Sequence, residues 1–189
     1  GQSVLAVADY GETYRTPMDE IRTGGFVTES VSRFRLPENL KSSVEGIVLK
    51  DGRTAAWCGA EEPSMWTFTN TGQLERKWTL PDAPQTAPVA IDGGVVFAMP
   101  GRLHISATAG GKQAEDYRSS QTAEAQQPWK SLTAISNNQV LAITGDNSFV
   151  RVEYRDTPRP QLAEVSVTRI PQIVDVPPAS ANGFLCVAT

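Results

Sequence analysis

The sequence predicts an all-β fold made of repeated four-stranded antiparallel sheets, and two observations support this prediction. Short apolar runs alternate along the whole chain with turns rich in Gly, Pro, Asp and Asn. One turn also recurs at a nearly constant spacing, because Asp51-Gly52, Asp92-Gly93, Asn137-Asn138 and Asn182-Gly183 lie 41, 45 and 45 residues apart. An apolar strand follows each of these turns. Turn chemistry, strand and spacing therefore recur together.

The clearest unit runs from residue 86 to residue 117. Its first apolar run ends at Asp92-Gly93, a strong signal for a two-residue hairpin. A second run ends at Pro100-Gly101, and in the third Leu103 and Ile105 alternate with polar residues. A polar outer strand, residues 112–117, completes the meander. Such a sheet cannot bury its apolar faces alone, so it needs neighbours.

The strands of the other repeats are predicted at positions equivalent to those of this unit. Inner strands are predicted at residues 44–49, 88–91, 132–135 and 173–176, and second strands at residues 1–8, 53–58, 94–99, 139–144 and 184–189. Third strands are predicted at residues 64–69, 102–107 and 148–154, and fourth strands at residues 26–36, 73–80, 112–117 and 162–170. Residues 10–21 contain Pro17 and lack a sustained apolar stripe, so we expect a loop there and no helix in the chain.

Four-stranded units of about 40–45 residues are typical of β-propeller blades. We expect one domain over residues 1–189, with repeats at about 1–37, 43–81, 87–118, 130–170 and 172–189. The chain starts and stops on a second strand. We therefore expect an incomplete arc of about four blades from a propeller of six to eight, cut or processed from a longer chain, whose remaining blades are possible partners.

Residues 88–112 and 66–78 resemble the blades of the quinoprotein-like (PQQ-repeat) β-propeller family. That family's blade has an apolar strand, Asp-Gly, a Val-rich strand, a Leu-x-Ala strand, a Thr-Gly-Lys turn and a Trp strand. Gly72 to Trp78 and Gly111 to Tyr117 share an offset of 6 residues. The resemblance implies that Trp78 and Tyr117 pack between adjacent blades. The copy over residues 130–170 is degenerate, and the Gly-His and Trp-Asp signature of WD repeats is absent.

Composition and charge narrow the classes of partner. The chain has a net charge of −4 with no basic stripe, which argues against nucleic acid. No apolar segment approaches the ~20 residues that span a bilayer, and no signal peptide is visible. Cys58 and Cys186 lie outside any Cys-x-x-Cys motif, so we expect two buried, inert thiols and neither a zinc site nor a disulfide.

For each residue that could act in catalysis or bind a metal, the sequence favours a structural or solvent-exposed role. His104, the only histidine, lies on a predicted strand without a partner motif, so we expect a structural or surface role. The acidic pairs Asp19-Glu20, Glu61-Glu62 and Glu115-Asp116 lack a calcium-loop pattern, and we expect them to be solvated. We therefore predict no catalytic, cofactor-binding or metal-binding residues and no cofactor.

Glycines and tryptophans can also suggest sites. The pairs Gly24-Gly25, Gly93-Gly94 and Gly110-Gly111 belong to turns and lack the strand-to-helix context of a phosphate loop. Recurrence within the blades favours packing for the tryptophans over a carbohydrate platform; they are Trp57, Trp66, Trp78 and Trp129.

The function predicted from these features is a non-catalytic propeller segment that serves as a binding platform for protein partners. Loops at residues 10–24 and 60–64 would carry the contacts. One alternative is part of a degenerate PQQ-dependent quinoprotein oxidoreductase whose catalytic residues lie outside this chain. Another, by fold analogy, is an assembly role like that of the periplasmic propeller lipoproteins that help insert outer-membrane proteins. The same analogy suggests an extracytoplasmic or periplasmic location.

Overall fold

The structure is a computed structural model, and it describes a chain of short antiparallel sheets. The described residues are 3–8, 10–25, 29–36, 44–107, 113–118, 127–172, 174, 177–181 and 184–187. They belong to two compact units, Gly1–Pro81 and Asp82–Thr189, and each unit is described by itself.

The first unit contains a three-stranded and a four-stranded sheet. The three-stranded sheet has the order β1-β2-β3, with β1 at Ser3–Val7, β2 at Glu12–Pro17, a short helix α1 at Met18–Arg22, and β3 at Glu29–Arg33. The four-stranded sheet has the order β4-β5-β6-β7, with β4 at Glu45–Val48, β5 at Thr54–Cys58, β6 at Ser64–Phe68 and β7 at Leu74–Thr79. Every pairing joins strands that are neighbours in the chain and is antiparallel.

The second unit contains two four-stranded sheets and a two-stranded one. The first has β8 at Val89–Ile91, β9 at Gly94–Met99, β10 at Arg102–Ala107 and β11 at Tyr117–Arg118. The next has β12 at Trp129–Ala134, β13 at Gln139–Thr144, β14 at Ser148–Arg155 and β15 at Gln161–Arg169. The last pairs β16 at Ala179–Ala181 with β17 at Phe184–Cys186.

The predicted hairpin turns occupy equivalent places in the sheets. Each connects the first strand of a four-stranded sheet to the second, closed by the pairs Val48 with Thr54, Ile91 with Gly94 and Ala134 with Val140. The predicted turn Asn182-Gly183 lies outside the described residues. The described part of the chain is therefore nearly all β, in propeller-type four-stranded meanders, as the sequence predicts.

Neighbouring sheets within each unit pack face to face. In the first unit, Phe34 follows β3 and packs against Trp66 and Phe68 of β6, with ring centroids 4.8 and 5.5 Å apart. The larger core of the second unit joins the β8–β11 and β12–β15 sheets through Ile91, Val96, Leu103, Ile105, Tyr117, Trp129, Leu132, Val140, Val150, Val152 and Leu162. A further cluster lies on the opposite face of the β12–β15 sheet, where Leu141, Ile143 and Phe149 pack with Val174. Each central sheet thus buries apolar side chains against its neighbour.

The expectation of a loop and no helix at residues 10–21 was wrong. This region forms β2 and most of α1. The pattern was hidden because the buried positions of β2 are Thr13 and Thr16, which count as polar in a hydropathy pattern. The Oγ1 of Thr13 donates a hydrogen bond to the carbonyl of Gly72, 3.1 Å away, which allows the polar side chain to be buried.

Two other predicted strands are displaced. The outer strand expected at residues 112–117 is reduced to Tyr117–Arg118, because Glu115 turns away and pairs in parallel with Gln161 at the start of β15. Of the inner strand expected at residues 173–176, residues 173, 175 and 176 lie outside the described residues, and the strand that pairs with β17 is Ala179–Ala181. Val174, the described residue of that predicted strand, is a buried core side chain outside any strand.

The Asp92-Gly93 turn packs on the aromatic ring of Tyr154. A Cβ atom built on Gly93 would lie 2.6 Å from Cγ of Tyr154, far inside van der Waals contact. Backbone hydrogen bonds hold this turn against the neighbouring sheet. Asp92 N donates to Asn137 O at 2.7 Å, and within that sheet Tyr154 N donates to Asn138 O at 2.8 Å. Glycine is therefore required here for close approach between two sheets.

We predict that Gly93→Ala destabilises the second unit by about 1–3 kcal/mol, because the added methyl group overpacks this contact. Urea unfolding would measure the change. Gly46→Ala is the matched control, since its Cβ would come no closer than 3.9 Å to its nearest neighbour, and it should change stability by less than about 0.5 kcal/mol. Equal effects of both substitutions would contradict the packing role of Gly93.

We also predict that ionisation of Tyr154 lowers the free energy of unfolding at high pH. Burial, together with the hydrogen bond from its hydroxyl to Asp156, raises the pKa of Tyr154 from 10.0 to about 12. The folded state thus keeps the proton more tightly, and this contribution is present below pH 10 and lost as pH rises towards 12. Urea unfolding from pH 9 to 12 should show a loss in the wild type that is smaller in Tyr154→Phe. Parallel pH profiles would refute the assignment.

Candidate functional site

His104 lies on β10 in a row of partly or fully buried polar side chains, which also includes Arg102, Ser106 and Asp116. Its Nδ1 lies 2.8 Å from Oδ1 of Asp116, and its Nε2 lies 3.3 Å from Oγ of Ser106. Arg102 approaches the other carboxylate oxygen at 3.8 Å. Residues 102, 104 and 106 alternate along one strand and therefore share one face. Sequence reasoning missed the partners of His104, although the spacing of Ser106 by two residues was a usable signal.

The hydrogen bonds of this row fix the proton positions. An ionised carboxylate can only accept, so Nδ1 of His104 carries the proton, and Nε2 accepts from the Ser106 hydroxyl when the ring is neutral. The order of groups is that of a catalytic Ser-His-Asp triad. His104 and Ser106 are however only 6% and 5% exposed, so little of either side chain is open to a substrate. The arrangement favours a structural relay that satisfies buried polar groups.

The three acidic pairs of the sequence lie in different settings, and in one of them the two carboxylates have different partners. Glu115 pairs with Arg159 at 2.8 Å, whereas its neighbour Asp116 contacts His104 and Arg102. Glu61 and Glu62 are exposed between β5 and β6, and the third pair lies in α1. In the described ranges, no group of three or more His, Cys, Asp or Glu side chains is placed to hold a metal ion.

The tryptophans lie mainly in the cores. Trp66 is 1% exposed beside Phe34, and Trp129 donates from Nε1 to the carbonyl of Met99 at 2.9 Å. Trp57 is also buried. Trp78 is half-buried, with the guanidinium of Arg76 3.8 Å above its ring. No flat row of exposed tryptophans is formed among them.

The two cysteines are free and differ in environment. Cys58 is fully buried in the first unit, as expected. Cys186 is exposed at the end of β17, so the expectation that it is buried was wrong. The sequence could not show this, because β17 resembles the second strands β5, β9 and β13, whose residues are mostly buried.

A groove in the first unit is the best-formed candidate for a binding site. It has a volume of about 720 Å³ and lies between β1 and β4. We call it the edge groove and define it by Val4, Leu5, Arg15, Met18, Ile47 and Val48. Val4 and Val48 are 45% and 69% exposed, which is high for valine on a strand. The groove falls in the usual size range of ligand pockets, and its lining combines apolar side chains with Arg15 and several hydroxyl and amide side chains.

The backbone of β1 borders this groove with an open edge. Among the described residues, β1 has one hydrogen-bonded neighbour, β2. The equivalent second strands β5, β9 and β13 each have a strand on both sides. Within the part of the chain that the structure describes, the other edge of β1 has no paired strand, so the N–H and C=O groups along it are available to one.

The two predicted contact loops lie in different places. Residues 10–24 contain β2 and α1, and Arg15 and Met18 from this stretch line the edge groove. Residues 60–64 do not contribute to it. The sequence prediction thus found part of one wall, but it missed the valines and isoleucine of β1 and β4.

A charged and aromatic cluster lies on the exposed surface of β2. Glu12 accepts hydrogen bonds from Tyr14 and Arg33, and these lower the pKa of the Glu12 carboxyl. The carboxylate in turn raises the pKa of the Tyr14 hydroxyl, which also lies 2.7 Å from the hydroxyl of Tyr10. Tyr10 is 64% exposed. Exposed Tyr and Arg are frequent in protein interfaces.

Comparisons with solved structures identify the fold. The chain superposes on BamB from Moraxella catarrhalis with a TM-score of 0.64 and 12% identity, over 100% of this chain and 52% of that one. The β-propeller domain of Cps50 (Swd1) from Myceliophteria thermophila gives 0.53 and 14%, over 90% and 55%. KlHsv2 with a loop replaced by a Gly-Ser linker gives 0.55 and 12%, over 86% and 54%.

These likenesses show a β-propeller fold and nothing finer. The chain spans about half the length of each of these three proteins. No family model matches the sequence, and a search of curated proteins gave no match. The PQQ-repeat resemblance therefore stays a prediction. Within the described residues, no helix has the length and apolar character needed to cross a membrane.

We predict that Asp116→Ala destabilises the second unit more than Ser106→Ala does. The first change leaves both His104 and Arg102 without their acceptor, at a cost of about 1–3 kcal/mol, whereas the second removes one longer hydrogen bond. Urea unfolding near pH 7 would measure both. A larger loss in Ser106→Ala would show that the row is not held by its carboxylate.

Proposed function

We propose that this chain is a non-catalytic propeller segment that binds protein partners through the edge groove. The observation that carries the proposal is the open backbone edge of β1 beside the exposed side chains of Val4 and Val48. An extended segment of a partner would pair antiparallel with β1 and place alternate side chains into the groove. Binding by strand addition gains affinity from main-chain hydrogen bonds and specificity from the side-chain pockets.

The inner strands of this chain indicate what such a segment looks like. Strands β4, β8 and β12 pair antiparallel with the second strands β5, β9 and β13, which correspond to β1. Each is three to six residues long and carries apolar side chains. A partner segment with the same length and pattern fits the edge groove, because it would complete the β1–β3 sheet to four strands.

A second candidate function is a part in outer-membrane protein assembly. The likeness to BamB is the observation that favours keeping this candidate. An extracytoplasmic location is proposed on the same fold analogy. In both candidates the partner is a protein and the chain itself performs no reaction.

The first candidate can be tested with a peptide taken from the chain itself. A labelled peptide with the sequence of residues 127–136, which contains β12, is titrated with the protein and followed by fluorescence anisotropy. We expect binding that is weakened at least about tenfold by the double substitution Val4→Lys and Val48→Lys, because charges then replace two apolar contacts. N-methylation of alternate peptide nitrogens should also weaken binding, since it removes main-chain donors.

The matched control is the double substitution Val165→Lys and Val167→Lys. These valines are 40% and 48% exposed on β15, outside the edge groove, and the change in net charge is the same. We expect this control to bind like the wild type. Equal binding by both double variants, or no binding of the peptide at about 1 mM, would reject strand addition at β1.

A further inference from the structure

A second groove, in the other unit, combines hydroxyl groups with a single guanidinium. It has a volume of about 490 Å³ and lies between the β12–β15 sheet and the β16–β17 hairpin. We call it the arginine groove. Its polar wall is formed by Arg151, Ser166, Thr168 and Ser180, and its apolar wall includes Leu141, Phe149 and Leu185.

Arg151 is held in place by a neutral partner. Its Nε and Nη2 donate to Oε1 of Gln139 at 3.0 and 2.6 Å. The other end of this amide donates to Glu153 at 3.1 Å, and Glu153 also accepts from Asn138 and Arg155. The carboxylate of Glu153 is thus used by other groups, and these contacts lower its pKa. The guanidinium is preorganised before any ligand arrives.

Among the described residues, Arg151 uses only part of its hydrogen-bonding capacity. A guanidinium has five N–H donors, and the contacts with Gln139 account for two. In the described part of the chain, no carboxylate forms an ion pair with Arg151, although the residue is only partly exposed. A partly buried cation with a neutral partner is costly, and an incoming carboxylate would compensate it.

We propose that the arginine groove binds the C-terminal carboxylate of a peptide whose last residue is a branched aliphatic one. The carboxylate would accept from the free N–H groups of Arg151 and from the hydroxyls of Thr168 and Ser180. The side chain on the same Cα would pack on Phe149 and Leu185. A C-terminal residue can contact both walls of the groove, because its Cα carries both the carboxylate and the apolar side chain. This site is independent of the edge groove.

Binding can be measured by NMR titration of the protein with N-acetyl-leucine, the smallest probe that has both groups. N-acetyl-leucinamide lacks the charge, and N-acetylglycine lacks the side chain. We expect both controls to bind at least about tenfold more weakly than N-acetyl-leucine. A longer peptide that ends in leucine should bind at the same residues and more tightly. If that peptide binds no better than N-acetyl-leucine, the site takes a small free carboxylate and the peptide proposal is overturned.

Two substitutions locate the site. Arg151→Met should weaken N-acetyl-leucine binding at least about tenfold, whereas Arg159→Met, which removes the same charge from a residue 70% exposed outside the groove, should not. Leu185→Asp decides the question if Arg151→Met fails to fold. It changes a side chain that is 41% exposed and places a carboxylate beside the guanidinium, so it should abolish binding. Unchanged binding in Leu185→Asp, or an equal loss in Arg159→Met, would refute the proposal.

Discussion

The burial of apolar side chains between neighbouring sheets is the interaction on which the rest of the structure depends. Each sheet has two faces, and the central ones carry apolar side chains on both. The six residues of β9 are all buried, because β9 has a strand on each side and packed side chains on its faces. A single two-stranded hairpin is only marginally stable in water, and a larger sheet needs a hydrophobic face to be stable. The sheets therefore gain their stability mainly as stacked neighbours.

The same constraint explains where the candidate sites lie. Both grooves lie beside sheets with fewer than four described strands, the β1–β3 sheet and the β16–β17 hairpin. At these places apolar side chains stay partly exposed, as at Val48 of the neighbouring β4–β7 sheet and at Leu185 of the hairpin itself. The polar row around His104 shows the opposite case. There the polar side chains of His104, Ser106 and Asp116 contact one another and are largely buried, which favours a structural role over a catalytic one.

Much of the fold could be predicted from the sequence, because turn chemistry and apolar runs repeat together. The hairpins at Asp51 and Asp92 and the strand at residues 102–107 lie where their patterns indicate. Strand β2 could not be found in this way, since its buried positions are threonines whose partners come from distant residues. The displaced outer strand at residues 112–117 depends on a pairing with Gln161, which no local pattern contains.

The up-and-down order of the strands also affects how the chain acquires its structure. Every strand pairing in the named sheets joins segments that are consecutive in the chain, so the loops to be closed are short and cost little entropy. The parallel bridge between Glu115 and Gln161 is different, since it spans 46 residues. Local pairing of this kind lowers the contact order and allows hairpins to form early, while stacking of one sheet on the next follows. During synthesis, each meander can therefore close soon after its own residues emerge from the ribosome, and the bridge at Glu115 must wait for the sheet that comes after it.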